Sequence, residues 1–150
     1  MIIVERTQNP YIIRDIFKED WDLVTDDGCG AFNDFYPDVN NPKKYFLLVK
    51  EDNSLICLVM IYEITHTLAD SHLIVCKNSR GKNLTEHFDK VYEFLKKNTA
   101  IKTLVTMFPT TRAYMYRYTA KYGWKKKCTL KNAYQKNGKL GNMALLELEI

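Results

Sequence analysis

Three apolar, β-rich runs in the middle of the chain constrain its fold most. "YFLLV" and "LICLVMIY" stand on either side of the polar pair Asp52-Asn53, a two-residue turn signal of β-hairpins. A third run, residues 68–76, extends this pair into a meander. The sequence therefore predicts a sheet in which these strands are neighbours.

Helical spacing occurs on both sides of the meander. Residues 9–24 read as one helix, with Pro10 near the first turn. Its apolar side is formed by Ile13, Phe17, Trp21 and Val24. A second helix has the i, i+4, i+7, i+11 spacing of a buried face at Leu84, Phe88, Val91 and Leu95. A third helix carries along one face Tyr114, Tyr118 and Tyr122, and we expect it to end at Gly123. Residues 101–108 read as a strand, and Asn137-Gly138 as the turn of a final hairpin.

Length, composition and cysteine usage favour one soluble domain over residues 1–150. The 46% hydrophobic and 27% charged residues are ordinary for a globular protein. The four cysteines lie far apart and the start of the chain has no signal-peptide pattern, so we expect reduced thiols, no metal and a cytoplasmic location. The longest apolar runs are too short for a bilayer, and we expect no membrane association.

The two halves of the chain carry opposite charge. Residues 1–75 contain 13 acidic and 6 basic residues, whereas residues 76–150 contain 16 basic and 5 acidic residues. A basic half suits nucleic acid or another polyanion, such as a nucleotide pyrophosphate. The basic, tyrosine-rich residues 112–127 could track a nucleic acid, but the single-face spacing of the tyrosines is explained better by core packing. Nucleic acid is therefore not the expected partner.

The stretch "SRGKNLTEHF", residues 79–88, connects the third apolar run to the second helix. Unpaired N–H groups at such a turn point outward at the positive end of a helix dipole and can hold a pyrophosphate. Arg80 and Lys82 add positive charge. The alternative is a simple helix start, with Asn83 as the N-cap and Glu86 completing a capping box.

The order β, α, β, β, β, α, β, α, β, β, with Arg80-Gly81 five residues after Val75 and "KYGW" at residues 121–124, resembles the GNAT superfamily of acyl-CoA-dependent N-acyltransferases. The resemblance implies an α/β (α+β) fold, in which helices flank a mixed, mostly antiparallel sheet of six to seven strands that ends in a β-hairpin. The chain also resembles divergent GNAT-like proteins of tailed phages, in which a His-containing strand precedes an R-G-K loop. That narrower resemblance would place the protein in a host cytoplasm or a virion.

The resemblance implies acetyl-CoA as co-substrate. The implied cofactor-binding residues are Leu73, Val75, Arg80, Gly81, Lys82, Asn83 and Thr85. Asn83 stands where the family prefers glycine, and Thr85 where it prefers glycine or alanine. Because Asn tolerates positive φ best among non-glycine residues and Thr is small, these substitutions weaken the site without excluding it.

The implied catalytic base, which removes a proton from the acceptor amine, is Glu63 or His72. Glu63 could instead face solvent, and His72 could be a half-buried histidine with a backbone partner. His66 in a turn and His87, off the apolar face of its helix, are weaker candidates. The family's tyrosine that protonates the leaving thiolate is replaced by Thr119.

Tyr118, the neighbour of Thr119, is the candidate acid, although it falls on the core face of its helix, where packing explains it better.

In the family, the loop after the first helix covers the acceptor. Here this loop carries Asp26, Asp27, Asp34 and Asp38 among Phe32, Phe35 and Tyr36. Such a loop suits a cationic primary amine, which could be a protein N-terminus, a lysine or a small polyamine, or it is only a solvated surface. We therefore expect an N-acetyltransferase that acts on a protein or small-molecule amine, with a homodimer left open. The alternative is a catalytically reduced GNAT-fold structural or interaction protein of a phage.

Overall fold

The three apolar runs form adjacent strands in a seven-stranded sheet, as predicted. The structure is a computed structural model that describes residues 1–150. In chain order the strands are β1 (Ile2–Arg6), β2 (Lys44–Glu51), β3 (Ser54–Glu63), β4 (Leu68–Val75), β5 (Thr103–Pro109), β6 (Lys125–Lys136) and β7 (Lys139–Glu149). The helices are α1 (Pro10–Lys18), α2 (Trp21–Val24), α3 (Thr85–Asn98) and α4 (Ala113–Lys121).

The sheet is mixed and mostly antiparallel. Its strand order is β1-β2-β3-β4-β5-β7-β6, and only β4 and β5 run parallel to each other. Both predicted hairpin turns form, with φ values of 47° and 67° at Asp52 and Asn53 and of 52° and 74° at Asn137 and Gly138. Two successive positive φ values match the twist of the flanking strands. The predicted fold class is confirmed.

Helices cover both faces of the sheet. Successive residues of β2 enter different cores, since Leu47 packs with α3 whereas Leu48 packs with α1. The predicted apolar stripe of α3 is confirmed, because all four of its residues are buried. On the other face, Ile13 of α1 is fully buried in a core with Phe46, Leu48, Leu58, Met60 and Ile74. None of the four helices combines the length and apolar composition that a bilayer span requires.

The segment predicted as one helix over residues 9–24 is divided into α1 and α2. Asn9 caps α1 by accepting the N–H of Tyr11 at 3.0 Å. Asp20 leaves the helical conformation, with φ −117° and ψ 12°, and its carboxylate pairs with Arg80. The prediction was wrong because this contact, 60 residues away along the chain, is invisible in the local apolar spacing.

His87 is buried rather than lying off the apolar face of α3. It is 6% exposed, and its Nε2 lies 3.6 Å from Oε2 of Glu51. The helix also contacts β1 and β2, so its buried sector is wider than the stripe of large apolar residues. The expectation from spacing was therefore wrong for this residue.

Candidate active site

The sheet opens between β4 and β5. These strands pair over only three residue pairs, from Leu68–Thr103 to Asp70–Val105, and then separate. The N–H of Cys76 donates to the carbonyl of Ile56 on β3 at 2.9 Å. Because backbone groups alternate sides along a strand, the N–H groups of Leu73 and Val75 point the other way, into the split.

A cavity of about 1110 Å³ passes through this split and is continuous on both faces of the sheet. We call it the cleft. The cleft reaches the edges of both cores, because it is lined by His72 and Leu73, successive residues of β4 that point to opposite faces of the sheet. Seven of the ten predicted site residues line the cleft: His72, Leu73, Val75, Arg80, Gly81, Lys82 and Tyr118. Glu63, Asn83 and Thr85 do not.

The turn from β4 to α3 presents unpaired backbone donors at one end of the cleft. Gly81 has φ +84°, a left-handed conformation that glycine adopts without strain. The N–H groups of Gly81, Asn83, Glu86 and His87 donate no hydrogen bond within the chain. Four free amides at a helix N-terminus form an arrangement that can bind an anion.

The basic side chains of this turn are partly engaged. The guanidinium of Arg80 donates from Nε to the carbonyl of Val75 at 3.1 Å and pairs with the Asp20 carboxylate. Lys77 lies 3.2 Å from Glu19. Lys82 forms neither an ion pair nor a side-chain hydrogen bond, and it is exposed at the cleft. The turn therefore keeps one free cation beside its free amides.

The capping box does not form. The first residue of α3 is Thr85, and the residue in the N-cap position is Leu84. The side chain of Asn83 accepts the N–H and the hydroxyl of Thr85 at 3.3 and 2.8 Å, which is a local turn. The N–H of Leu84 donates to the hydroxyl of Tyr122 at 3.0 Å. Asn83 and Thr85 thus shape the turn, and the free amides lie around them.

His72 is held by a carboxylate that sequence reasoning missed. Its Nε2 lies 2.7 Å from Oδ2 of Asp70, and its ring packs at a tilt of 47° against Tyr62, with 5.6 Å between ring centroids. Burial raises the pKa of the Tyr62 phenol to about 12, with a further contribution from the Asp70 charge. The spacing Asp-x-His within a strand places both side chains on one face, which is the signal that could have identified Asp70.

Glu63 lies at the other end of the sheet from the split. Glu63 pairs with Ala69 of β4, and Ala69 is one of the three β4 residues that pair with β5. Oε1 of Glu63 accepts the hydroxyl of Tyr45 at 2.9 Å. Together with His66 and Lys97, both residues line a separate open groove of about 590 Å³. The structure does not bring Glu63 together with His72 and Tyr118.

Tyr118 reaches the cleft from α4. Its hydroxyl oxygen is buried and has no hydrogen-bond partner, and its ring packs edge-on against Tyr122. Burial raises the pKa of this phenol above its ordinary value, and the neighbouring Tyr122 adds to the shift. Thr119 donates its hydroxyl to the carbonyl of Met115 at 2.7 Å within the helix. The hydroxyl of Thr119 is therefore engaged, whereas that of Tyr118 is free.

The acidic loop covers the cleft but adds little negative charge to it. Of its four aspartates, only Asp26 lines the cleft, and Oδ1 of Asp26 accepts the N–H of Gly28. Asp27 accepts the N–H groups of Asn137 and Gly138 in the β6–β7 turn, both at 2.9 Å. The hydrogen bond from Gly138, followed by that from Asn137, lowers the pKa of the Asp27 carboxyl.

The aromatic residues of this loop form a cluster around the end of α1. Phe32 and Phe35 pack with Phe17 and Trp21 at centroid distances of 4.8 to 6.4 Å. Of these four, Phe17, Trp21 and Phe35 line the cleft. Tyr36 is 64% exposed. The loop is thus an aromatic wall whose aspartates serve mainly as turn and hairpin acceptors.

Several solved structures that resemble this fold are acetyltransferases. The spermidine N-acetyltransferase of Vibrio cholerae, in complex with CoA and spermine, has a TM-score of 0.72 at 13% identity and covers 99% of this chain and 95% of its own. The ribosomal-protein-alanine N-acetyltransferase of Brucella melitensis has 0.72 at 13% identity, with 99% of each chain covered. A GNAT-family acetyltransferase of Streptococcus pneumoniae has 0.71 at 16% identity over all of both chains.

At these identities the likeness shows the fold alone, and it is the GNAT fold expected from the sequence. No curated protein sequence matches the chain. Residues 29–149 match the family DUF2824, whose description is a protein of unknown function. The match covers the meander, the β4–α3 turn, α4 and the closing hairpin. The chain therefore belongs to the DUF2824 family.

Proposed function

We propose that this protein transfers an acyl group from an acyl-CoA to a primary amine, by direct attack of the amine on the thioester. One observation carries the proposal: the N–H groups of Leu73 and Val75 point into the cleft, and Gly81, which lines the end of the same cleft, begins the set of four free amides of the β4–α3 turn. The first set suits a thioester carbonyl and the second a pyrophosphate.

The residues present fit a CoA thioester. The free amides of Gly81, Asn83, Glu86 and His87 would hold the pyrophosphate, with the ammonium of Lys82 beside them. A bound acyl-CoA would supply an acyl group on a good leaving group, the thiolate. The N–H groups of Leu73 and Val75 would polarise the acyl carbonyl. The buried hydroxyl of Tyr118, which has no partner in the chain, supports a polar ligand at this point of the cleft.

His72 is the candidate base that lies in the cleft. Asp70 accepts a hydrogen bond from Nε2 of His72, which leaves Nδ1 as the acceptor for a proton of the incoming ammonium. The resulting imidazolium is stabilised by the Asp70 carboxylate at 2.7 Å. Glu63 has no part in this proposal, because it lies at the closed end of the β4–β5 ladder.

Tyr118 would act on the leaving group. A tyrosine phenol is protonated at neutral pH, and burial of Tyr118 raises its pKa further, so its hydroxyl can donate a hydrogen bond to the developing thiolate. A thiol has a pKa of about 8.5, so complete transfer of the phenolic proton would be uphill. Tyr118 therefore stabilises the thiolate by hydrogen bonding, and solvent supplies the proton.

A second candidate function is a GNAT-fold structural or interaction protein, as expected for a phage relative with reduced catalysis. It is favoured by the ion pairs Arg80–Asp20 and Lys77–Glu19, which neutralise two cations of the turn within the chain. It is also favoured by Thr119 in place of the usual tyrosine.

The two functions are separated by calorimetric titration with acetyl-CoA, followed by a thiol-release assay over a panel of primary amines. We expect binding and amine-dependent release of CoA. His72→Ala should abolish most of the amine-dependent release of CoA and leave the affinity for acetyl-CoA unchanged. The matched control is His66→Ala, which changes an exposed histidine outside the cleft and should affect neither. If acetyl-CoA does not bind at millimolar concentration, the transferase proposal is refuted and the structural function remains.

A further inference from the structure

Two cations line the acceptor side of the cleft, and we infer that they select an amine that also carries a carboxylate. The inference rests on the proposed function and names its substrate class. Arg112 precedes α4 and Lys136 ends β6, and both side chains are half-buried and line the cleft. This contrasts with the cationic acceptor expected from the acidic loop.

Neutral backbone groups hold both cations in place. A guanidinium nitrogen of Arg112 donates to the carbonyl of Leu23. Nζ of Lys136 donates to the carbonyls of Asp22 and Thr25 at 2.7 and 2.9 Å. These carbonyls belong to α2 and to Thr25 just after it, and none of them accepts a backbone N–H, so each is free to bind a cation. Both side chains are thus anchored on one short segment.

Neither cation is neutralised by an ion pair. Lys136 is close enough to Asp27 to lower the pKa of that carboxyl, but both Asp27 oxygens already accept N–H groups of the hairpin turn. Asp26, the other carboxylate on this side, is bonded to the N–H of Gly28. The ammonium of Lys136 keeps one donor and the guanidinium of Arg112 keeps four.

The position of the two cations matches the face on which the base lies. His72 points to the same face of the sheet as Ile74, two residues later in β4, and Ile74 belongs to the core that contains Ile13 of α1. His72 therefore lies on the α1 and α2 side of the sheet. The segment from Asp22 to Thr25 that anchors the cations follows Trp21, whose ring packs against Phe17 of α1, so this segment lies on the same side. An amine that delivers its nitrogen toward His72 would therefore have its remaining groups near Arg112 and Lys136.

A carboxylate on the acceptor would receive charge-assisted hydrogen bonds from these donors in a cleft lined largely by apolar and aromatic side chains. A plain polyamine would place a second ammonium against two cations and would be disfavoured. The acceptor class is therefore an amino acid, an ω-amino acid or a peptide with a nearby carboxylate.

The test compares matched acceptors: straight-chain ω-amino acids of two to six carbons, the monoamines and diamines of equal length, and the corresponding amino-acid amides. At one or more lengths, we expect kcat/KM for the acid to exceed that for its amide, monoamine and diamine by about tenfold or more, because a hydrogen bond to a charged group contributes roughly 1.5–3 kcal/mol. Arg112→Gln and Lys136→Met should each reduce this preference, through KM rather than kcat. The matched control Lys131→Met, on the exposed part of the same hairpin, should leave it unchanged.

Failure of this inference can be told from failure of the proposed function. If amines are acylated with no preference for the acids, the transferase stands and the inference is overturned. If acetyl-CoA binds but no amine is acylated, calorimetric titration measures the affinity of the same acids for the CoA complex. If the acids do not bind, or bind no more tightly than their amides, the inference is overturned. Unchanged thermal melting and acetyl-CoA affinity in the Arg112 and Lys136 variants would show that a lost preference does not come from a lost fold.

Discussion

Replacing Tyr118 by Phe should stabilise the free protein and slow the proposed reaction. The hydroxyl oxygen of Tyr118 is buried without a hydrogen-bond partner, while its ring packs against Tyr122 and the α3 core. An unsatisfied buried polar group costs about 1–3 kcal/mol. Phe keeps the ring and removes the hydroxyl, so we expect the free energy of unfolding to rise by about 1 kcal/mol, a value at the lower end because Tyr118 is only half-buried. For a chain of this size that raises Tm by roughly 2–4 °C.

The catalytic effect should have the opposite sign. Losing one hydrogen bond to the developing thiolate removes roughly 1.5–3 kcal/mol from the transition state, which lowers kcat about ten- to a hundredfold. Thermal unfolding by circular dichroism and single-turnover thiol release measure the two effects on one preparation. The control is Tyr116→Phe on the same helix, because Tyr116 packs on Phe108 and does not line the cleft.

A lowered or unchanged Tm for Tyr118→Phe would refute the reasoning about stability. It would mean that the Tyr118 hydroxyl is hydrogen-bonded in solution, with Tyr122 as the nearest candidate. A raised Tm together with an unchanged kcat would instead leave the burial argument intact and remove Tyr118 from the reaction.

Gly81→Ala should destabilise the fold by about 1 kcal/mol in urea unfolding, since φ is +84° and no atom lies within 4 Å of the added Cβ, so that the strain is conformational. A loss well above that would mean a steric clash. Burial raises the pKa of the Cys57 thiol to about 12. The free energy of unfolding should therefore fall as pH rises from about 9, the pKa of this thiol in the unfolded chain, toward 12. A thiol reagent at pH 8 should label the exposed Cys29 and Cys128 but not Cys57. Rapid labelling of Cys57 would contradict its burial. Glu63→Gln should leave amine-dependent CoA release unchanged, and a large loss would return Glu63 to the mechanism.

Much of the fold was predictable because its signals are local. Asp52-Asn53 and Asn137-Gly138 need only two adjacent residues that tolerate positive φ, and both turns form. The stripe from Leu84 to Leu95 needs only helical spacing, and it is buried. The division between α1 and α2 was missed because the Asp20–Arg80 contact joins residues far apart in sequence.

The site was predictable to the extent that motif spacing fixes it. Arg80 to Lys82 come five to seven residues after the end of β4 and lie at the cleft. Which end of β4 faces the split depends on the register of its short pairing with β5, and no local pattern encodes that register. Glu63 and His72 therefore looked equivalent as bases from sequence and are separated only by the fold. Asp70 was missed although its Asp-x-His spacing was available.

The short β4–β5 ladder has a mechanical consequence. Three residue pairs are the only strand pairing between β1–β4 and β5–β7. Side chains and the core add further links between these two parts of the sheet. Asp27 accepts N–H groups of the β6–β7 turn, and Arg112 and Lys136 donate to carbonyls in and just after α2. Leu104 of β5 also packs in one core with Leu47 of β2. The width of the opening is therefore held by side-chain contacts and core packing, and strand hydrogen bonds fix it only at the ladder.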